Sequence, residues 1–417
     1  MRSSPDGYLK RLLLYSHDTY GLGHLRRNLG IANHMLATVP GLQVVLITGS
    51  TAARRFPLPR GLSLAELPPV VKVAAEEYRA REPGLDFAAV RHARATIIAD
   101  VARHFSPDVF LVDHAPQGMK GELLPAFDAL ARYRPATRVV LGLRDVIDDP
   151  AVVRQTWEQQ RVAETLERVY DRVVIYGCRD ILDVADAYRF PVPVLARTTY
   201  SGYLCRRPVG APATTERPDL PEGPFVLGTA GGGGDGLAML NATLEAADDL
   251  GVASVLVTGP LMDRQERVTL EQQARVRGLG RVVEFVPGLE HLIAAASAVV
   301  TMGGYNALSE IIPSGVPAIV VPRVWPRREQ AIRGELFAAR GLVRVVEPGP
   351  ALGARLAAEL RDVLHGEARP AVPFDGNGLE RLREVLLEEA MRAYRARVSG
   401  SAERPDSRPE LAKAVPA

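Results

Sequence analysis

The chain has 417 residues, 47% hydrophobic and 24% charged, which is the balance of a globular protein and not of a disordered one. Its length predicts two domains, because a single core rarely grows beyond about 250–300 residues. Lys and Arg number 51 against 49 Asp and Glu, and this net charge of +2 lacks the basic excess of an extended nucleic-acid surface.

Cysteine usage and hydropathy bear on the compartment. The spacing of Cys178 and Cys205 fits neither a metal site nor a disulfide framework, which predicts a reducing environment. The apolar run that ends at His17 is too short for a signal peptide, and no stretch approaches the roughly 18 apolar residues of a membrane span. We expect a cytoplasmic protein with no transmembrane segment, for which peripheral contact with a membrane stays open.

Apolar strands alternate with helical patterns along the first half, which is typical of parallel α/β architecture. Most of these strands are near-continuous apolar runs, as expected when both faces of a sheet are covered. The predicted strands are 11–17, 43–49, 108–114, 138–144, 172–177 and 192–197, and the helices between them include 24–37, 88–104 and 151–168.

The second half repeats this architecture after a change in composition. Residues 1–205 form the first predicted domain, and the proline-rich polar segment 206–224 reads as a linker. A second domain follows at 225–376, then an amphipathic helix at 377–398 and a disordered tail at 399–417. The predicted strands of the second domain are 225–230, 253–259, 281–287, 298–302 and 317–322. Two such domains would leave a cleft at the carboxyl ends of their strands, where ligands bind in open α/β sheets.

The stretch "LGTAGGGGDGLAML" (227–240) places glycines between a predicted strand and a helix. The backbone N–H groups of Gly231, Gly232, Gly233 and Gly234 can face an anion at the helix N-terminus, and phosphate is the expected anion. The alternative is a flexible surface turn in which Asp235 caps the helix.

Gly303 and Gly304 repeat the strand–glycine–helix arrangement further along the chain. Glu310 follows about 9 Å along the helix, so phosphates at the glycines would place a ribose beside this carboxylate. Asn306 shares its helix face and can hold the carboxylate in place. The alternative for Glu310 is a solvent-facing position on an amphipathic helix.

The stretch "PRVWPRREQAIR" (322–333) follows the last of these strands. We expect Pro326 to open a helix whose first turn contains Arg327, Glu329 and Gln330. Polar side chains at a helix start can simply cap it. The functional interpretation assigns Glu329 and Gln330 to sugar hydroxyls.

His24 lies in the loop "SHDTYGLGHLRR" (16–27), directly after the first strand. An imidazole that ionises at roughly pH 6–7 suits a general base. A structural histidine at a helix start is the alternative. Asp113 and His114 end another strand at the same edge, as do Arg144 and Asp145, and these residues are the other candidates for the base and for acceptor binding.

Several of these motifs together resemble a known family. "GGYNALSEIIPSGVPAIVVPRVWPRREQ", with the upstream glycine loop and "FVPGLEHLIAAASAVV", resembles the donor half of GT-B glycosyltransferases. The nearest type is the MurG-like group, with a glycosyltransferase family 28 C-terminal domain, over about 225–345. "YSHDTYGLGHLRRNLGIA", "VDHAPQGMKGEL" and "LGLRDVIDDP" are similar to bacterial predicted glycosyltransferases of that group with undefined substrates. The implied fold is two Rossmann-like, doubly wound parallel-sheet domains facing across a cleft.

The resemblance implies a role for each donor-side position. Glu310 would bind the ribose diol, and the two glycine segments would cradle the diphosphate. Phe285 and Val286 would contact the base through their backbone, and Gln330 with Glu329 would hold the sugar. The family pattern also returns the last helix to the first domain.

The acceptor side departs from the family pattern, which opens with a glycine-rich loop ending in histidine. That loop keeps Gly21, Gly23 and His24 here and adds other polar residues, which leaves the acceptor undefined. The candidate catalytic residues are His24 and Asp113, with Asp18 and His114 as alternatives, and the acceptor-side candidates are His17, Tyr20, Gly21, Gly23, Arg144 and Asp145.

The implied reaction moves a sugar from a nucleotide-diphosphate sugar, with UDP as the expected nucleotide, to an acceptor hydroxyl or amine with inversion. No Asp-x-Asp pair follows either glycine segment, so we expect no metal, and backbone amides with Arg327 or Arg328 would stabilise the leaving diphosphate. The nucleotide sugar is a co-substrate, and no other cofactor is expected. The acceptor would be a small molecule, a glycan or a lipid-linked compound, and not a nucleic acid.

Three other classes compete with this interpretation. The first class is enzymes of the same fold, namely nucleotide-sugar 2-epimerases and hydrolases. The second is a non-catalytic binder, which would keep the donor half alone. A nicotinamide dehydrogenase is disfavoured, because the first strand lacks a G-x-G-x-x-G sequence.

Overall fold

The computed structural model describes residues 7–18, 22–74, 77–205, 221–286, 288–366 and 373–400. The chain divides into two compact units, residues 1–203 with 377–417, and residues 204–376. Most of the predicted linker and nearly all of the predicted tail lie outside the described residues. Within the described ranges, no helix combines the length and apolar character that a membrane crossing requires.

The first unit is built on a seven-stranded parallel sheet with the order β3-β2-β1-β6-β7-β8-β9, and β4 and β5 form a separate antiparallel pair. The strands are β1 (Arg11–Tyr15), β2 (Gln43–Thr48), β3 (Leu62–Glu66), β4 (Val70–Ala74), β5 (Glu77–Ala80), β6 (Val109–Asp113), β7 (Arg138–Arg144), β8 (Arg172–Tyr176) and β9 (Thr198–Tyr200). The helices are α1 (Gly23–Thr38), α2 (Phe87–Phe105), α3 (Leu124–Tyr133), α4 (Pro150–Gln159), α5 (Val162–Val169), α6 (Val184–Ala187) and α7 (Val192–Leu195).

The strand order of this sheet reverses between β1 and β6, which are paired from Leu12↔Val109 to Tyr15↔Val112. Crossover connections between parallel strands are right-handed, so the reversal places helices on both faces of the sheet. All five residues of β6 are therefore buried. The predicted apolar runs become the centre of the core for this reason.

Two predictions for the first unit are wrong. The segment 192–197 is not a strand, because Pro191 and Pro193 lack an N–H for a sheet ladder, and Val192–Leu195 forms a short helix. The predicted helix 151–168 is two helices, broken where Arg161 takes a left-handed φ of 52°.

The second unit is a six-stranded parallel sheet with the order β12-β11-β10-β13-β14-β15. Its strands are β10 (Phe225–Thr229), β11 (Ala253–Val257), β12 (Gly280–Val283), β13 (Ala298–Thr301), β14 (Ala318–Val320) and β15 (Arg344–Val345). Its helices are α8 (Leu237–Asp249), α9 (Arg264–Arg277), α10 (Leu289–Ala295), α11 (Tyr305–Ile311), α12 (Glu329–Ala338) and α13 (Leu352–His365). The order reverses between β10 and β13, which are paired from Val226↔Ala298 to Thr229↔Thr301.

The last helix, α14 (Gly378–Ser399), belongs to the first unit. Its Glu389 is fully buried and accepts hydrogen bonds from Arg138 Nε at 3.1 Å and Arg172 Nε at 3.2 Å, at the starts of β7 and β8. Arg392 adds a third at 2.7 Å. A buried carboxylate of α14 thus joins this helix to the sheet of the first unit.

Replacing Glu389 by Ala should destabilise the first unit by about 3 kcal/mol, because removing one partner of a buried ion pair leaves the other charges uncompensated. Glu388→Ala is the control, since Glu388 is 57% exposed and lies 3.5 Å from Arg172, and its loss should cost less than about 1 kcal/mol. Urea unfolding followed by Trp157 fluorescence in a Trp325→Phe background reports on this unit, because the chain has 2 Trp. Equal losses in the two variants would contradict a stabilising role for the buried carboxylate.

Candidate functional site

The first cluster of functional side chains lies where the strand order of the first sheet reverses. β1 runs into the loop that carries His17 and Asp18, and α1 begins at Gly23. The neighbouring β6 ends at Asp113. His24, in the first turn of α1, is therefore brought to Asp113, a residue 89 positions away in sequence.

His24, Asp113 and Arg27 form a triangle of close polar contacts. His24 Nδ1 lies 2.6 Å from Asp113 Oδ2. Arg27 Nε donates to Asp113 Oδ1 at 2.8 Å, and Arg27 Nη2 donates to Oδ2 at 2.8 Å. The side chains of Asp113 and Arg27 are 1% and 2% exposed, whereas that of His24 is 15% exposed. The imidazole is the member of the triangle that solvent or a substrate can reach.

The short contact between His24 and Asp113 fixes the imidazole tautomer. Burial raises the pKa of the Asp113 carboxyl, but Arg27 and His24 outweigh burial and hold it well below its usual range. Asp113 is therefore ionised and can only accept a hydrogen bond. We assign the proton to Nδ1, because two acceptors at 2.6 Å would repel each other. Nε2 then carries the lone pair that can receive a proton.

Burial also lowers the pKa of the His24 imidazole to about 4, against the opposing effect of Asp113 and with the help of Arg27 and Arg144. The sequence-based expectation of an ordinary histidine pKa is therefore wrong. Desolvation of the imidazolium is the reason, and it cannot be deduced from the motif. The imidazole is neutral throughout the physiological pH range.

Two further imidazoles lie next to His24. The His114 ring centroid is 4.9 Å from that of His24, and the His17 ring is 5.7 Å from it. His114 has a left-handed φ of 68°, an uncommon conformation for a residue with a side chain. Its backbone N–H donates to Gly142 O at 2.8 Å. Backbone strain of this kind often marks a functional site.

Asp18 is a second buried carboxyl in this region. Thr48 Oγ1 donates to its Oδ2, and its Oδ1 has no hydrogen-bond partner among the described residues. Burial raises the pKa of Asp18 to about 6. Asp18 is buried, whereas part of the His24 imidazole is exposed, so the imidazole is the group that an acceptor can reach more readily.

The remaining acceptor-side candidates fall in different places. Tyr20 and Gly21 lie outside the described residues, and Gly23 is exposed at the start of α1. Arg144 is half-buried at the end of β7, and the buried Asp145 accepts a hydrogen bond from Val146 N at 2.7 Å. The positive charge of Arg144 helps to lower the pKa of His24. Asp145 makes its hydrogen bond within its own turn.

The glycine loop after β10 is held against the loop after β11. Gly233 has a φ of 99°, and a Cβ there would lie 2.2 Å from Thr258 O. Leu261 N donates to Gly232 O at 2.9 Å. Asp235 does not cap α8, whose first turn has no side-chain cap, because its carboxylate pairs with Arg323 at 2.9 Å instead.

The second glycine segment follows β13, directly beside β10 in the sheet. Gly303 has a φ of 79°, and a Cβ there would lie 2.7 Å from Val320 Cγ1. Glu310 is buried on α11, which overturns the alternative of a solvent-facing position, and Asn306 is half-buried. Both glycine segments thus leave the sheet at the reversal of strand order, where open α/β sheets bind ligands.

Arg323, in the loop after β14, connects the donor-side candidates and was not predicted. Its Nη1 donates to Asp235 Oδ2 at 2.9 Å and its Nη2 to Glu329 Oε1 at 2.6 Å. Its backbone N–H donates to Gln330 Oε1 at 2.9 Å, which turns the amide nitrogen of Gln330 the other way. Its neighbours in sequence gave no signal for these contacts.

The remaining donor-side candidates lie before or at the start of α12 and just after β12. Helix α12 begins at Glu329 and not at Pro326 as predicted, so Arg327 precedes the helix. Gln330, in the first turn of α12, accepts a hydrogen bond from Arg323 N at 2.9 Å across the irregular segment that precedes the helix. Phe285 is half-buried and Val286 is buried, both just after β12.

Comparison with known proteins matches residues 232–384 to the glycosyltransferase family 28 C-terminal domain. The UDP-N-acetylglucosamine--N-acetylmuramyl-(pentapeptide) pyrophosphoryl-undecaprenol N-acetylglucosamine transferase of Paenarthrobacter aurescens is 29% identical over 299 residues, 60% of this chain and 78% of that protein. The enzyme of the same name from Corynebacterium efficiens is 30% identical over 147 residues, which span 35% of this chain and 38% of the relative.

Solved structures share the fold over most of the chain. MurG from Acinetobacter baumannii superposes with a TM-score of 0.55 at 14% identity, covering 91% of this chain and 99% of that one. The glycotransferase of kitacinnamycin gives a TM-score of 0.55 at 19% identity, covering 94% and 99%. At these identities the likeness concerns the fold.

The glycine loop after β10 allows a matched pair of substitutions. Gly233→Ala should deform the loop, because a methyl group would meet backbone oxygen at 2.2 Å, whereas Gly231, with a φ of 66°, has open space around a Cβ. Gly231→Ala should therefore cost only the left-handed strain of about 1–2 kcal/mol. Gly233→Ala should therefore unfold at a lower temperature than Gly231→Ala and bind nucleotide more weakly. Equal effects would show that packing against the neighbouring loop does not shape this turn.

Proposed function

Because this chain belongs with the MurG-like glycosyltransferases of GT-B fold, we propose that it transfers a sugar from a UDP-sugar to an acceptor hydroxyl or amine with inversion. The observation that carries the proposal is the His24–Asp113 pair at 2.6 Å, with the Nε2 side of the imidazole directed away from the carboxylate. An imidazole held in this way by a carboxylate presents Nε2 as a proton acceptor, which is the role of a general base in such a transfer.

We assign the donor to the second unit. Gly231–Gly234 and Gly303–Gly304 would face the diphosphate with backbone N–H groups, and the N-terminus of α8 adds its dipole. Glu310 would accept hydrogen bonds from both ribose hydroxyls. Glu329 and Gln330 would hold the sugar. The position of Glu310 supports this assignment, because α11 follows β13 at the reversal of strand order, where open α/β sheets bind ligands.

The proposed chemical step balances in atoms and electrons. The acceptor proton moves to His24 Nε2 while the acceptor oxygen or nitrogen forms a bond to the anomeric carbon. The bond from that carbon to the β-phosphate oxygen breaks, and UDP leaves with the electron pair. Attack opposite the leaving group inverts the anomeric centre. The glycine amides, with Arg327 or Arg328, would stabilise the departing charge without a metal.

A ligand panel followed by product analysis tests the proposal. UDP, UDP-N-acetylglucosamine, UDP-glucose and GDP-mannose are compared by thermal shift, because a bound ligand stabilises by RT ln(1 + [L]/Kd). Turnover of the stabilising sugar nucleotide is then followed with and without an acceptor panel. UDP release that needs an acceptor supports a transferase. A new epimer, free sugar without acceptor, or binding without turnover would instead identify an epimerase, a hydrolase or a binding protein.

Glu310→Ala should weaken UDP binding by about 1.5–3 kcal/mol, the scale of a hydrogen bond to a charged group. Calorimetric titration with UDP gives this difference directly. Glu335→Ala, an exposed carboxylate in the same unit, is the control and should bind UDP normally. Full affinity in a folded Glu310→Ala protein would contradict the donor assignment.

His24→Ala and His24→Gln should each lower turnover by about 10²–10⁴-fold, the contribution of a general base, and keep UDP affinity. The acid limb of kcat/KM for the unaltered protein should lie near pH 4, because only the neutral imidazole accepts a proton and its pKa is about 4. A pH–rate profile checks this. Normal turnover in both variants would move the base to Asp113, Asp18 or His114.

A further inference from the structure

Arg27 is a buried cation that the proposed reaction does not use. Its guanidinium occupies both oxygens of Asp113 at 2.8 Å, and the same Nη2 that donates to Oδ2 lies 2.9 Å from His24 Nδ1. The carboxylate oxygen that orients the imidazole is therefore shared with a guanidinium.

The consequence is clearest against an imidazole–carboxylate pair that stands alone. There the full negative charge stabilises the imidazolium, so the carboxylate both orients the ring and strengthens it as a base. At His24 a fixed positive charge neutralises the carboxylate before the ring is protonated. Orientation is kept, and the electrostatic attraction of the carboxylate for a second proton on the ring is reduced.

We propose that Arg27 is a positioning residue that locks the Asp113 carboxylate in the orientation that holds His24 and weakens the attraction by which Asp113 would keep His24 protonated. The inference rests on the proposed function only in its consequence for turnover. The contact itself holds whatever the reaction is.

Other charged and titratable groups also lie near His24 or interact with Asp113. Arg144 acts from the end of β7, and its charge disfavours the imidazolium as Arg27 does. The His17 and His114 rings lie 5.7 and 4.9 Å away. Asp18 interacts electrostatically with Asp113. Arg27 differs from these groups because it is hydrogen-bonded to both Asp113 oxygens.

Histidine NMR of the full chain tests the inference without any substrate. The chain has 8 His, and the resonance lost in His24→Ala identifies His24. Arg27→Gln should raise the measured pKa of His24 by about 1–3, the range by which a charge at this distance shifts a neighbour. Arg54→Gln is the matched control, because Arg54 makes the same two-bond contact with Glu66 at 2.8 and 2.9 Å on the surface. It should leave the His24 pKa unchanged.

Arg27→Lys separates the two parts of the role. Lysine keeps the charge and loses the planar fork, so the pKa of His24 should stay low while kcat falls and KM for the donor stays the same. In Arg27→Gln the acid limb of kcat/KM should move up with the measured pKa of His24. A solely structural role would change stability and would not move this limb.

An unchanged His24 pKa in folded Arg27→Gln overturns the inference. If that variant does not fold, Arg27→Lys decides: a low pKa with reduced kcat supports the inference, and kcat equal to that of the unaltered protein overturns it. Failure of the proposed function would look different. His24→Ala would then turn over normally, while the pKa difference between Arg27→Gln and the unaltered protein would persist.

Discussion

Parallel strands end at the same edge of their sheet, and both units use this constraint where their strand order reverses. In the first unit it brings the loop after β1 to the end of β6, so His24 meets Asp113 across 89 residues of sequence. In the second unit it brings the glycine loop after β10 next to the glycines after β13. The chemistry assigned to this chain depends on these two junctions.

Asp113 shows how the first junction is stabilised. A buried carboxylate is costly unless it is paired and hydrogen-bonded, and its penalty in proteins is several kcal/mol. The fork of Arg27 and the Nδ1–H of His24 offset that penalty and leave the ion pair neutral. The His24 side chain is 15% exposed, and burial is the largest cause of its lowered pKa, so the packing that forms the core of this junction also keeps the imidazole neutral.

The fold class and the MurG-like resemblance were predictable from sequence, and both are confirmed by the family domain and the GT-B structures. Buried parallel strands are continuous apolar runs, and polar residues that follow them must lie at the binding edge. Prediction failed where local chemistry competes with hydropathy, as at the prolines around Val192. Arg27 and Arg323 were missed because an ion pair depends on which distant carboxylate the fold brings near, and the lowered pKa of His24 depends on burial.

The position of α14 has a consequence for how such a chain can be cut or recombined. The first unit is discontinuous, since residues 204–376 are inserted between its sheet and its last helix. The matched family segment ends at residue 384, inside that helix, so the boundary of sequence similarity does not coincide with the boundary of the folded unit. Exchanging the second unit between relatives therefore means replacing an internal segment with two junctions. A chain truncated after residue 376 would keep both sheets and lose the carboxylate that Arg138 and Arg172 share.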